Sequence, residues 1–103
     1  MKSMDTQEAQ QAFAVLQQQA QAPWQLQDNS LHTQWKFKNF LQAMAFMNAV
    51  AEAAERMNHH PEWSNVYNRV NVRLTTHDAG GLTALDFELA LAMDNLAVTA
   101  YQS

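Results

Sequence analysis

Two stretches of this 103-residue chain alternate apolar and polar residues, and each lies between stretches of helical spacing. That grouping limits the fold more than any other feature. In "WQLQDNSLHTQWKFK" (24–38), Trp24 and Leu26 share one parity and Trp35 and Phe37 share the other, with "DNS" between them. Residues two apart lie on one face of a strand, so the stretch predicts two antiparallel strands joined by a short turn. In "PEWSNVYNRVNVRLTTHD" (61–78), Val70, Val72 and Leu74 alternate with Asn71 and Arg73, which predicts a half-buried strand. A shorter extended piece at Ser64–Tyr67 precedes it, with a turn or a bulge near Asn68. The pattern alone permits one strand or two here.

The flanking stretches read as helices. "DTQEAQQAFAVLQQQAQA" (5–22) places Phe13, Leu16 and Ala20 at helical spacing, with Asp5 or Thr6 as N-cap and Pro23 as terminator. Its glutamines read as a solvated face. "NFLQAMAFMNAVAEAAERM" (39–57) has Asn39 as N-cap. It carries two adjacent stripes: Phe40, Met44, Met47, Ala51 and Ala54, and then Phe46, Val50, Ala53 and Met57. "AGG" (79–81) breaks the chain. "TALDFELALAMDNLAVTA" (83–100) opens with a Thr83/Asp86 capping-box spacing. Leu85, Leu89, Met93 and Leu96 face one way, while Phe87, Leu91 and Val98 form a second apolar surface. Strands in pairs with helices between them predict an α+β sandwich, an antiparallel sheet with helices on one face. The surplus apolar surface on the last helix predicts association.

Composition narrows the function classes. The length fits one domain spanning 1–103. There is no Cys, which excludes disulfides and thiolate metal sites. The formal charge is −4 with few, scattered basic residues, which argues against nucleic acid as a partner. "MKSMDTQEAQ" has no apolar core of a secretory signal, and no stretch has the apolar length of a membrane span. The expectation is a cytoplasmic protein.

The densest cluster of chemistry is "NHHPEW" (58–63), where two of the four histidines precede a proline, an acid and a tryptophan. Three readings compete. In the first, His59 and His60 are loop residues, with His60 held extended by Pro61; His32, near a turn, is a satisfied polar residue in the same sense. In the second, His59, His60 and His77 with Asp78 surround a metal. Adjacent residues of an extended chain point to opposite sides, which disfavours that geometry. In the third, imidazoles transfer protons, a role suited to their pKa near 6.5. Elimination of water needs one proton given and one taken, and several histidines around a pocket supply both without a cofactor. Trp63 and Tyr67 would then form an aromatic wall, and Glu55, four residues before His59, would orient a ring.

The segment "ERMNHHPEWSNVYNRVNVRLTTHDAGGLTALD" (55–86) resembles the signature of the pterin-4a-carbinolamine dehydratases. Glu55, His59, His60, Pro61, Tyr67, His77 and Asp86 match at the family's spacing, and the element order agrees along nearly the whole chain. The resemblance implies a four-stranded antiparallel sheet with three helices in the order α-β-β-α-β-β-α, and so two strands between Pro61 and Asp78. It implies dehydration of 4a-hydroxytetrahydropterin to quinonoid dihydropterin, the substrate being left by an aromatic amino acid hydroxylase. It places His59, His60 and His77 around the pterin as the catalytic set, with His60 and His77 as acid and base in either order. His59 would stabilise charge or bind the ring. Glu55 and Asp86 would support the site; Asp86 has a competing role as helix cap. Asn58, Trp63, Thr75, Thr76 and Asp78 would line the substrate, with Trp63 alternatively a core residue. No metal and no cofactor are implied, because the pterin is the substrate. Family members form dimers by joining sheets and tetramers through helices, which implies a homodimer or homotetramer. A different function class also follows: a dimerisation or regulatory module acting through a helical surface around Phe46, Val50 and the 83–98 helix.

Overall fold

A computed structural model describes residues 2–102, with the side chains of Tyr101 and Gln102 excepted. Three helices and four strands follow the order α-β-β-α-β-β-α. Helix α1 spans Thr6–Gln19 and opens on a full capping box: Asp5 Oδ1 accepts from the Glu8 amide at 2.8 Å, and Glu8 Oε1 accepts from the Asp5 amide at 3.0 Å. It ends three residues before the predicted boundary, where Ala20 turns extended.

Strands β1 (Gln25–Gln27) and β2 (Ser30–Lys36) form a hairpin. Its two-residue turn, Asp28–Asn29, has φ of 51° and 56°. Positive φ at both central positions matches the right-handed twist of a hairpin, and Asp and Asn are the non-glycine residues that tolerate it. Strands β3 (Glu62–Val66) and β4 (Arg69–Leu74) form a second hairpin, turning at Tyr67–Asn68. The Asn65 amide donates to the carbonyls of Tyr67 and Arg69 and ties this turn together. The pattern near Asn68 thus resolves as a turn and two strands.

All pairings are antiparallel, in the order β1-β2-β4-β3. Leu31, Thr33 and Trp35 of β2 and Val70, Val72 and Leu74 of β4 are buried on the covered face. Helices α2 (Phe40–Met57) and α3 (Ala84–Gln102) pack on that face and on each other, with α1 against α3. Phe46 joins the layers: its ring lies 4.9 Å from Trp35 and 5.0 Å from Phe37, and Trp24 meets Trp35 edge-on at 5.5 Å. Each such ring contributes about 1.5–3 kcal/mol by leaving water.

The apolar surfaces read as association sites lie elsewhere. Phe46 and Val50 are 1% and 0% exposed, so they belong to the core and offer no partner surface. On α3, Phe87 is buried, and Leu91 and Leu96 pack against the core, because α3 is covered by α1 as well as by α2 and the sheet. The exposed apolar side chains are instead Phe40 and Leu41 at the start of α2, Val15 on α1, and Val66 and Tyr67 at the β3–β4 turn.

Candidate active site

One end of the sandwich gathers the end of α2, the start of β3, the end of β4 and the start of α3. Asn58 closes α2 in the left-handed conformation, φ 53° and ψ 42°, its amide reaching the carbonyls of Ala54 and Glu55. The chain then runs through His59, His60 and Pro61 into β3. Adjacent side chains there diverge. His59 turns inward and is buried at 8% exposure, while the His60 side chain is 56% exposed.

Beyond β4 the chain makes a short 3-10 turn, His77–Ala79, in place of the expected extended run to Asp78. The Thr76 carbonyl accepts from the amides of Ala79 and Gly80. Gly80, at φ 76°, closes the turn in a conformation that costs glycine nothing. Thr76 itself is buried, and its hydroxyl serves Asp86 and Thr83.

Each histidine of the end meets its own carboxylate. His59 Nε2 lies 2.6 Å from Asp86 Oδ1, and His60 Nε2 lies 2.5 Å from Glu55 Oε1. His77 Nε2 is bonded to Glu62 Oε1. An ionised carboxylate only accepts, so in a neutral ring each contact places the proton on Nε2 and the lone pair on Nδ1. The three pairs differ in solvation. Asp86 is fully buried at 0% exposure, whereas the His77 and Glu62 side chains are 73% and 45% exposed.

Asp86 has two tasks at once. Oδ1 takes His59; Oδ2 takes the Thr76 hydroxyl at 2.8 Å and the Thr83 amide at 3.0 Å. The second oxygen is the acid of a half capping box at the start of α3. The reciprocal half is missing: the Asp86 amide donates to the Thr83 carbonyl at 3.1 Å instead of to its hydroxyl, which bonds to the Thr76 hydroxyl.

Glu62 is the residue that sequence spacing missed. It stands opposite Arg73 in the β3–β4 register, and Arg73 Nη1 donates to its Oε2 at 2.8 Å. The Arg73 bond first, and the His77 bond second, hold its carboxyl below the ordinary carboxylate value. The only sequence signal was its place right after His-His-Pro; the partner on the next strand depends on register.

The remaining expected residues separate. Asn58 and Asp78 are exposed at this end. Trp63 is half-buried, pairs in register with Val72 and packs against the core. Thr75 turns away, donating to the Asn29 carbonyl of the first hairpin. Tyr67 sits at the far end of β3, roughly 17 Å from Glu62 at about 3.3 Å per residue, so it forms no wall beside the histidines. His32 lies on the open sheet face with Nε2 on the Ser30 hydroxyl at 2.7 Å. Among the described residues, no three His, Asp or Glu side chains converge in a way that could hold a metal ion. No helix there is long and apolar enough to cross a membrane.

Three helices against an antiparallel sheet of this order define the class of the fold, and the comparisons with known proteins give its family. The sequence model of the pterin 4 alpha carbinolamine dehydratase family matches residues 2–96. The chain belongs to that family of hydro-lyases. A Solibacter usitatus protein with the provisional name pterin-4-alpha-carbinolamine dehydratase is 55% identical over 74 residues, 72% of this chain and 78% of that one. A Rhizobium johnstonii protein with the same provisional name is 58% identical over 76 residues, 72% of this chain and 75% of that one. Among solved structures, a Brucella melitensis transcriptional coactivator/pterin dehydratase superposes with a TM-score of 0.83 at 37% identity, covering 93% of this chain and 99% of its own. A pterin dehydratase-like protein identified as a RuBisCO assembly factor of the alpha-carboxysome gives 0.62 at 25% identity, covering 74% and 88%.

Proposed function

We propose that the chain dehydrates 4a-hydroxytetrahydrobiopterin to the quinonoid dihydropterin, in the recycling of tetrahydrobiopterin used by an aromatic amino acid hydroxylase. The observation that carries this reading is the set of three histidine–carboxylate pairs at one end of a dehydratase-family fold. A protonated imidazole gives its proton to the C4a hydroxyl, the C4a–O bond breaks and water leaves. A second imidazole takes the N5 proton, and the freed pair becomes the N5=C4a double bond. His60 and His77 are the two proton carriers, since their rings reach solvent. His59, oriented by Asp86, binds the pterin or stabilises charge on it. Glu55 orients His60. Asn58, Trp63 and Asp78 contribute to the substrate surface. The reaction needs no metal or cofactor. We place the protein in the cytoplasm as a single domain, in a homodimer or homotetramer.

Stopped-flow absorbance of freshly generated 4a-hydroxytetrahydropterin at alkaline pH, where the spontaneous loss is slow, tests the proposal. The wild-type protein is expected to accelerate the decay. His60→Ala and His77→Ala should each lose about 10²–10⁴-fold in turnover. Folded wild-type protein that leaves the decay unchanged would sink the enzyme reading, and variants within twofold of wild type would sink the assignment.

A second reading, a regulatory binding module, draws on the exposed Phe40 and Leu41 and on the similarity to the Brucella transcriptional coactivator/pterin dehydratase. Such a module would bind a helical partner through the start of α2. Copurification lost in Leu41→Glu would support it, and dehydration would be untouched.

A further inference from the structure

The side chains of His60 and His77 are both exposed, but their partners are held differently. Glu55, on the last turn of α2, is 77% exposed. Glu62 is gripped across the sheet: it faces Arg73 in register, and the guanidinium holds Oε2 at 2.8 Å. With one oxygen fixed, the other is presented to His77. The backbone carrying His77 is pinned by the bonds to the Thr76 carbonyl, yet the imidazole itself is 73% exposed. No buried group orients it. As a source of stability an exposed pair of this kind contributes little. It matters more for the direction of the ring, because among the described residues the other hydrogen bonds at His77 are on the backbone.

We propose that Glu62, braced by Arg73, is the positioning residue for His77: it holds the Nε2–H toward β3 and leaves Nδ1 to exchange the proton. The inference rests on the dehydratase reading above. A carboxyl held below its ordinary value remains an ionised acceptor throughout the neutral range. The groups that face it are Arg73 on β4, His77 in the 3-10 turn and, across β4 from it, His32 on β2. His32 stands opposite Arg73 and shares with Glu62 a cavity of about 320 Å³. Glu62 also follows Pro61 directly, so the segment that carries His59 and His60 carries the brace of His77 as well. One stretch of backbone, 59–62, therefore carries two of the rings and the partner of the third.

The test uses the full chain and two readouts. The first is the ¹³C-carboxyl titration of Glu62 by NMR without substrate, in wild type, Arg73→Gln and His77→Ala. The Glu62 midpoint should rise in Arg73→Gln and rise by less in His77→Ala. The second is stopped-flow dehydration. Glu62→Ala should lose about 10- to 100-fold in kcat with KM within about threefold, the size of effect set by misplacement of a reacting group. Glu62→Gln, which keeps an acceptor oxygen, should retain more of kcat than Glu62→Ala. A Glu62 titration indifferent to His77→Ala overturns the contact. A Glu62→Ala protein within twofold of wild type, when His77→Ala is inactive, overturns the positioning role and leaves the function standing. An inactive wild type removes the function and the positioning role together, even where the titration shows the contact.

Discussion

His59 and Asp86 are joined at 2.6 Å inside the protein, and the same aspartate caps α3 through the Thr83 amide. A ring of the site and the start of a 19-residue helix therefore depend on one buried carboxylate. Asp86→Ala would leave His59, the Thr76 hydroxyl and the Thr83 amide without their acceptor. Leaving a buried donor without its acceptor costs about 1–3 kcal/mol, so chemical denaturation should show a loss of at least that size. Asp86→Asn should lose less. Its amide can donate to His59 Nε2 and so move the ring proton to Nδ1, and a fall in kcat at preserved secondary structure, read by stopped flow and circular dichroism, is the expected result.

Asp94, midway along α3, ties that helix to the segment before β1. It is buried, and its two oxygens accept from the amides of Gln21 and Ala22, both at 2.8 Å. These bonds fix the link between α1 and β1. Asp94→Ala should cost up to about 3 kcal/mol, since the bonds are charge-assisted but water can reach the exposed Gln21 and half-buried Ala22. Hydrogen exchange at Gln21 and Ala22 should speed up before exchange elsewhere. Dehydration by the protein that remains folded should be unchanged.

Phe46 and Leu41 separate core from surface on one helix. Phe46→Ala should destabilise the chain by about 3–5 kcal/mol through the cavity it leaves. Leu41 is 76% exposed, so Leu41→Glu should alter stability by no more than about 0.5 kcal/mol. If α2 joins subunits, sedimentation of Leu41→Glu should show a smaller species than wild type. An unchanged sedimentation coefficient would place the contact elsewhere.

Glu62 predicts an acid-dependent term. Its carboxyl is depressed in the folded chain by Arg73 and then by His77, and its ordinary value is 4.5. Stability from a depressed carboxyl is present above the unfolded value and is lost as pH falls through the folded one. The stability gap between wild type and Glu62→Gln should therefore be flat above about pH 5 and close below pH 4. Exposure and salt screening keep the gap small. Urea titrations at pH 3, 4, 5 and 7 would measure it.

The elements were legible because their periods differ. Val70, Val72 and Leu74 repeat every two residues and are all buried, and Leu89 and Met93 repeat at helical spacing and are buried too. The inward stripe of α2 was not legible. Its two stripes are similarly apolar, and only packing against Trp35 and Phe37 selects Phe46 and Val50 over Phe40. The histidines were legible as a cluster and through family resemblance, and so were Glu55, five positions from His60, and, by the resemblance alone, Asp86; Glu62 was not, because its contact depends on strand register. Asp86 reaches His59 across 27 positions and Glu62 reaches His77 across 15. Asp94, set among apolar neighbours in "LAMDNLA", looks like a solvent-facing acid until the fold brings two amides onto it.

The uneven burial of the three pairs bears on how such a chain can drift over evolutionary time. His60 and His77 are exposed, so under the proposed mechanism replacing either would remove chemistry and leave folding almost untouched. His59 and Asp86 are enclosed, so losing either leaves a buried polar partner unpaired, and losing Asp86 also removes the acceptor at the start of α3. A descendant that gave up dehydration for a scaffolding role would shed the outer rings first. The inner pair would survive in it as a relic, kept by the demands of folding long after its reaction had ceased.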